Sequence, residues 1–233
     1  ERKIRYIPIR MFFKMIFNSY IFLFIFLPIA LAGFWLLGGR KNARYIFLTL
    51  LGYIFYGYWN YKFTFLMLFS TLVSFGTALY ISRTNNSRKR RFAIIAALTT
   101  DLALLGFFKY FNFSVATIQN IFDFFGGNIN LPLVQVILPI GISFYTFHTM
   151  SYVIDVYRGK FQPTRNFFEF ATYVSFFPQL VAGPIVRFNE VSSDLNNLNS
   201  IKKPPAPHEG VSMFVVGLFK KVIIAYYIAN FFN

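Results

Sequence analysis

The chain has no cysteine and little charge: its 233 residues include 23 Lys plus Arg and 8 Asp plus Glu, 13% in all. Without cysteine there are no disulfides, thiolate metal sites or thioester-forming nucleophiles. A soluble domain carries about 25% charged residues, so this chain cannot cover a globule of its size with polar surface. It also has only two His, at 148 and 208, too few without Cys for a persuasive zinc site. No phosphate-binding glycine motif of the GxxxxGK[ST] or GxGxxG type occurs, which leaves nucleotide-driven chemistry unsupported. What the chain has in excess is aromatic and aliphatic surface: 34 Phe, 15 Tyr and 56% hydrophobic residues. That content excludes disorder.

Uncharged runs set the class. Residues 15–39 contain no charge, and Ile16 to Leu37 would make about 33 Å of helix. The segment is too long and aromatic for a signal peptide. Tyr45–Tyr61 and Phe63–Ser82 follow, separated only by Lys62, then Phe92–Phe108, interrupted only by Asp101. Phe124–Ile154 is broken by Pro132 and by Pro139-Ile140-Gly141; Phe170–Val186 ends in Ala182-Gly183-Pro184; Gly210–Asn233 carries Lys220-Lys221 midway. This pattern predicts an all-α polytopic membrane protein, with helices broken at the two Pro/Gly sites. Such breaks are tolerated at membrane depth only inside protein or beside a water-filled cavity.

The formal charge of +15 lies mostly between the runs. Arg40, Lys41 and Arg44 fill one gap, and Arg83 with Arg88-Lys89-Arg90-Arg91 another. A short basic cluster between spans reads as a lipid-facing loop, not as a nucleic-acid site. If each run spans once, both gaps share the cytoplasmic side, and the basic residues Arg2, Lys3, Arg5, Arg10 and Lys14 then conflict. Either the start is Met15 and residues 1–14 are upstream sequence or a basic, non-native extension, or the first run is not a simple span. Removing those five residues and Glu1 takes the charge from +15 to +11. Residues 15–233 read as one domain without internal repeats. Phe111–Asn128 reads as an amphipathic helix in the interface, and Ser192–Glu209 as a solvated loop.

The richest stretch for chemistry is Gly141 to Gly159. On a helix Tyr145, His148, Ser151, Tyr152 and Asp155 form a polar stripe. A local Ser-His-Asp triad fails, because His148 and Asp155 are about 10.5 Å apart along the axis. Two readings of the stripe stay open: an interior network, or the wall of a substrate channel. Asp155 and Arg158 are spaced to pair at the membrane surface. Asp101 is expensive inside a bilayer and is either functional or a polar helix contact. His208 reads as an ordinary exposed histidine.

Three stretches together resemble a known family. Met15 to Pro28, Leu138-Pro-Ile-Gly-Ile-Ser-Phe-Tyr-Thr-Phe-His148 on to Gly159, and Tyr173-Val-Ser-Phe-Phe-Pro-Gln-Leu-Val-Ala-Gly-Pro-Ile-Val-Arg187 are similar to the membrane-bound O-acyltransferases. The similarity is to the branch acetylating alginate and other bacterial exopolysaccharides. The resemblance implies tilted helices around a central tunnel, in the bacterial cytoplasmic membrane. It implies acetyl transfer from a cytoplasmic thioester, acetyl-CoA or another acyl thioester, toward an extracytoplasmic polysaccharide. It also implies a periplasmic or extracellular partner that completes the transfer, and no bound cofactor or metal. Tyr145, His148, Ser151, Asp155, Arg158, Gln179 and Arg187 would line the tunnel. Neither histidine matches the family's catalytic one, which the resemblance places on a helix beyond Asn233. The chain is thus expected to be an N-terminal portion, inactive alone. Membrane lipids are the other expected contact, and the alternatives are a transporter or flippase and a non-catalytic membrane scaffold.

Overall fold

A computed structural model describes residues 17–126, 136–180, 183–201, 206–225 and 228. The proposed extension 1–14, Met15, Pro132, Ala182 and Lys202 to Pro205 lie outside them. Every regular element among the described residues is helical. A π-helical turn, Phe22–Phe26, leads into α1 (Leu27–Leu36). Then follow α2 (Lys41–Arg83), α3 (Ser87–Phe124), α4 (Ile142–Tyr157), α5 (Phe167–Ser175), α6 (Phe177–Leu180), α7 (Phe188–Asn196) and α8 (Pro207–Phe219). The chain forms two compact units, residues 48–196 and residues 1–47 with 197–233.

Helices α2 and α3 are long and apolar enough to cross a membrane. Their surfaces are inverted relative to a soluble bundle. Phe65, Phe69 and Leu72 of α2 and Leu102, Phe107 and Phe113 of α3 are exposed, whereas Ser70, Thr71, Ser74 and Asp101 are buried. Water would reverse that arrangement, while a hydrocarbon solvent favours it, because polar groups then find partners only inside the protein. The chain is an all-α membrane protein.

Several expectations about boundaries change. The break between the second and third runs falls at Asn60, not at Lys62. Asn60 takes an extended conformation (φ −161°, ψ 107°), and its Oδ1 accepts the Lys62 amide at 3.1 Å, as a helix N-cap does. A Cβ on Gly57 would lie 3.1 Å from Thr64 Oγ1, although seven residues of straight helix span about 10.5 Å. The bend at Asn60 is therefore sharp. Phe111–Asn128 is not a separate helix: α3 runs unbroken to Phe124, because neither Pro nor a cap interrupts it. At about 57 Å, α3 exceeds a hydrocarbon core of about 30 Å.

The basic cluster is also helical rather than a loop. Asn86 caps α3 by accepting the amides of Arg88 and Lys89, so only Thr84 to Asn86 connect α2 to α3. Ser192–Glu209 is likewise no simple loop: α7 continues to Asn196, Asn197–Asn199 form a 3-10 turn, and α8 begins at Pro207. Arg44, assigned to a loop, lies inside α2 and is fully buried. Within its unit its Nε donates to the Phe34 carbonyl (3.1 Å) and Nη1 to those of Leu198 and Ile201, the latter at 2.9 Å. The guanidinium also sits 4.4 Å from the Phe34 ring centroid.

Candidate functional site

Helix α4 begins where the sequence broke the apolar run. Gly141 holds φ +77° at its N-terminus, a conformation that favours glycine, and a Cβ there would collide with the carbonyl of Leu180. Both demands fix glycine at this point. The preceding strand of irregular chain is held by α3, whose Asn112 donates to the Val136 carbonyl (2.8 Å) and accepts its amide (3.0 Å). From there α4 runs against α3, α5 and α7. Nine of its residues are buried, among them Tyr145, Thr146, His148, Thr149, Tyr152 and Asp155. A break the sequence did not signal separates α5 from α6 at Phe176 (ψ 105°); at the expected second break Ala182 lies outside the described residues, and Pro184 to Arg187 are non-helical.

Asp101 anchors the polar interior. Ser70 Oγ donates to its Oδ1 at 2.6 Å; Thr149 Oγ1 and Ser74 Oγ reach Oδ2 at 2.9 and 3.4 Å. The carboxylate thus ties α2, α3 and α4 together with hydroxyl donors, and no ion pair to it occurs among the described residues. Its sequence neighbour Thr100 bonds back to the Ala96 carbonyl instead.

His148 lies one turn along α4 from Tyr145 and is fully buried. Its ring centroid is 5.1 Å from that of Tyr173 on α5, and both ring nitrogens lack a hydrogen bond among the described residues. Buried polar atoms are nearly always paired, so this imidazole keeps unspent donor and acceptor capacity in the interior. Tyr145 meets Tyr56 edge to face, with centroids 6.1 Å apart. Around them Tyr152, Phe170, Tyr173 and Phe188 form a close aromatic cluster, Tyr152 and Phe170 having centroids 4.3 Å apart. The Tyr152 hydroxyl accepts the Thr164 amide at 3.0 Å.

The remaining stripe residues separate. Ser151 Oγ donates to the His148 carbonyl (3.0 Å), so it makes no catalytic relay with the imidazole. Asp155 pairs with Lys160 at 2.9 Å, not with Arg158. The reason is the helix end: Lys160 N–H reaches the Asp155 carbonyl, Gly159 N–H reaches that of Val156, and Gly159 has φ +72°. This Schellman closure folds Lys160 back over Asp155, leaving Arg158 exposed. Gln179 Nε2 contacts the Tyr173 carbonyl at 3.4 Å. Arg187 is exposed, with its backbone amide against Glu190. His208 is exposed on the first turn of α8.

The structure therefore gathers Tyr145 and His148 in one interior with Asp101, and leaves Arg158 and Arg187 on the surface. Sequence reading missed Ser70, Ser74 and Thr149 as the partners of Asp101. Their spacing carried a signal: Ser70 and Ser74 are four apart, on one face of a charge-free run. Among the described residues no group of three His, Asp or Glu converges as metal ligands would. Chemically the interior around α4 offers hydroxyls, the Asp101 carboxylate and, among the described residues, an uncommitted imidazole at His148.

No protein-family model matches the chain, and no solved structure does. It is similar to the protein named probable alginate O-acetylase AlgI of Pseudomonas aeruginosa, 39% identical over 212 residues, 91% of this chain and 40% of that protein. The Pseudomonas putida protein of the same name is 40% identical over 212 residues, 91% of this chain and 43% of its own length. The peptidoglycan O-acetyltransferase of Helicobacter pylori is 33% identical over 255 residues, 94% of this chain and 46% of that protein. The chain spans under half the length of these relatives.

Proposed function

Because this chain is related to the membrane-bound O-acetyltransferases, we propose that it forms part of a membrane enzyme that acetylates a polysaccharide hydroxyl. The observation that carries the reading is the match, at 39% identity, over nine-tenths of the chain. The donor is an acyl thioester, acetyl-CoA in the simplest case, presented from the cytoplasmic side of the cytoplasmic membrane. A general base removes the proton of the receiving hydroxyl, the oxygen attacks the thioester carbonyl, the C–S bond breaks and the thiol leaves protonated. An extracytoplasmic partner receives the acetyl group and passes it to the polymer. Tyr145, His148 and Gln179 belong to the wall of the acyl path. The uncommitted imidazole of His148 supports this role, because its nitrogens are not consumed by packing.

The acceptor is an exopolysaccharide of the alginate type on this reading; the Helicobacter pylori relative favours peptidoglycan as a second one. Both are tested by deleting the encoding gene and measuring ester-linked acetate on extracellular polysaccharide and on purified peptidoglycan. Loss from one polymer, restored by the intact gene, identifies the acceptor. Unchanged acetate on both overturns the proposal and returns weight to a transporter or scaffold.

A further inference from the structure

At the end of the membrane-crossing pair, α2 and α3 enclose an open groove of about 640 Å³. Gly76 on α2 and Ala93 and Ala96 on α3 line its apolar part, Phe92 flanks it, and Arg88 and Lys89 stand beside it. Three observations separate it from ordinary helix packing. First, Gly76 has no packing reason: a Cβ there would meet nothing within 4 Å. Glycine inside a helix is worse than alanine by up to about 1 kcal/mol, so the missing side chain keeps space open. Second, the two cations are uncommitted. Neither makes an ion pair among the described residues, and no Asp or Glu occurs between Phe63 and Thr100. Their neighbour Arg90, in contrast, is bound to the protein, donating to the Tyr157 carbonyl at 3.1 Å. Third, charge and apolar space are stacked along the helices. Gly76 lies about 10 Å from the charged end of α2 at Arg83, and Ala96 about 12 Å from Arg88.

We infer that this groove is a binding site for an anionic glycerophospholipid, its phosphate against Arg88 and Lys89 and an acyl chain laid over Gly76, Ala93 and Ala96. A soluble phosphate compound would satisfy the cations and leave the apolar floor uncovered; a zwitterionic lipid would cover the floor and leave the cations unmatched. Only a lipid with an anionic head satisfies both ends. The site is independent of the proposed acetyl transfer, since none of its residues belongs to the α4 interior.

The test is lipid retention by the intact protein extracted from nanodiscs of phosphatidylglycerol or phosphatidylcholine and weighed by native mass spectrometry. A basic group beside an anionic surface is worth about a fivefold preference. Arg88→Gln/Lys89→Gln is expected to lower the phosphatidylglycerol preference about thirtyfold, and Arg91→Gln, outside the groove, far less. Gly76→Leu fills the floor and is expected to cut retention of both lipids with unchanged helix content by circular dichroism. Equal effects of Arg91→Gln and the double variant would overturn the site, reducing it to general surface charge. So would a Gly76→Leu protein that retains lipid normally. Displacement of the lipid by millimolar inorganic phosphate would overturn it in favour of a soluble phosphate ligand.

Discussion

Replacing Arg44 tests how a buried cation stabilises the unit formed by residues 1–47 and 197–233. Its side chain is inaccessible and satisfies three carbonyls that come from two separate stretches of chain, Phe34 on one side and Leu198 and Ile201 on the other. In Arg44→Leu the deeply buried Leu198 carbonyl loses this donor, which costs about 1–3 kcal/mol. The Phe34 and Ile201 contacts are partly accessible, so water recovers some of their loss and each costs about 1 kcal/mol. The cation–π contact with Phe34 adds about 1 kcal/mol. Leucine offsets part of this by removing the desolvation cost of a buried charge. The net expectation is a loss of about 3 kcal/mol. Arg44→Lys keeps the charge but not the fork, reaches at most one carbonyl and is expected to lose about 2 kcal/mol. The exposed Arg40 is the control, with Arg40→Ala expected within about 0.5 kcal/mol of the parent. Unfolding of the whole chain in mixed detergent micelles, followed by far-UV circular dichroism, reads the difference. Hydrogen exchange at residues 197–201 should accelerate in Arg44→Leu and not in Arg40→Ala. A lysine variant as stable as the parent would refute the argument, because charge alone would then suffice.

Substitutions at three further positions probe the other unit. Asp101→Ala removes the acceptor of three hydroxyls, and at the modest strength of hydrogen bonds inside membranes should cost about 2 kcal/mol; Asp101→Asn keeps one oxygen and should cost about half. The same micelle unfolding decides, and an asparagine variant as damaged as the alanine would count against hydroxyl pairing. At Gly52 of α2 a Cβ would collide with the backbone carbonyl of Ser175, whereas at Gly106 of α3 it would meet nothing. Gly52→Ala is therefore expected to lose about 2–3 kcal/mol and Gly106→Ala to gain about 0.5–1 kcal/mol. Equal effects at the two sites would show that helix propensity, not close approach, governs both.

Composition and charge-free runs by themselves determined that this is an all-α membrane protein, because continuous apolar runs of about 20 residues fit spanning helices and not the short alternating strands of a barrel. The Pro/Gly signal at 139–141 located the start of α4, since Pro and Gly act first on the local backbone; the break between α5 and α6 falls instead at Phe176. The spacing of residues 138–187 carried the family resemblance, and the relatives support it. Length in runs was less informative. The gap expected at Lys62 falls at Asn60, where an extended capping residue breaks the helix, whereas the interface helix expected from Phe111 is a continuation of α3, with no cap or proline between. Only the tertiary structure decided which polar groups meet. Arg44 became a buried clasp instead of a loop charge, and Asp155 found Lys160 instead of Arg158. Asp101 drew its donors from helices 27 to 48 residues away. The spacing of Ser70 and Ser74 marks one helix face, but nothing in the sequence pairs that face with Asp101 or Thr149, since Ser and Thr are tolerated on either face of an apolar helix. What brings them together is the cost of an unpaired polar group at that depth, which favours pairing of the Asp101 carboxylate with hydroxyls across the bundle.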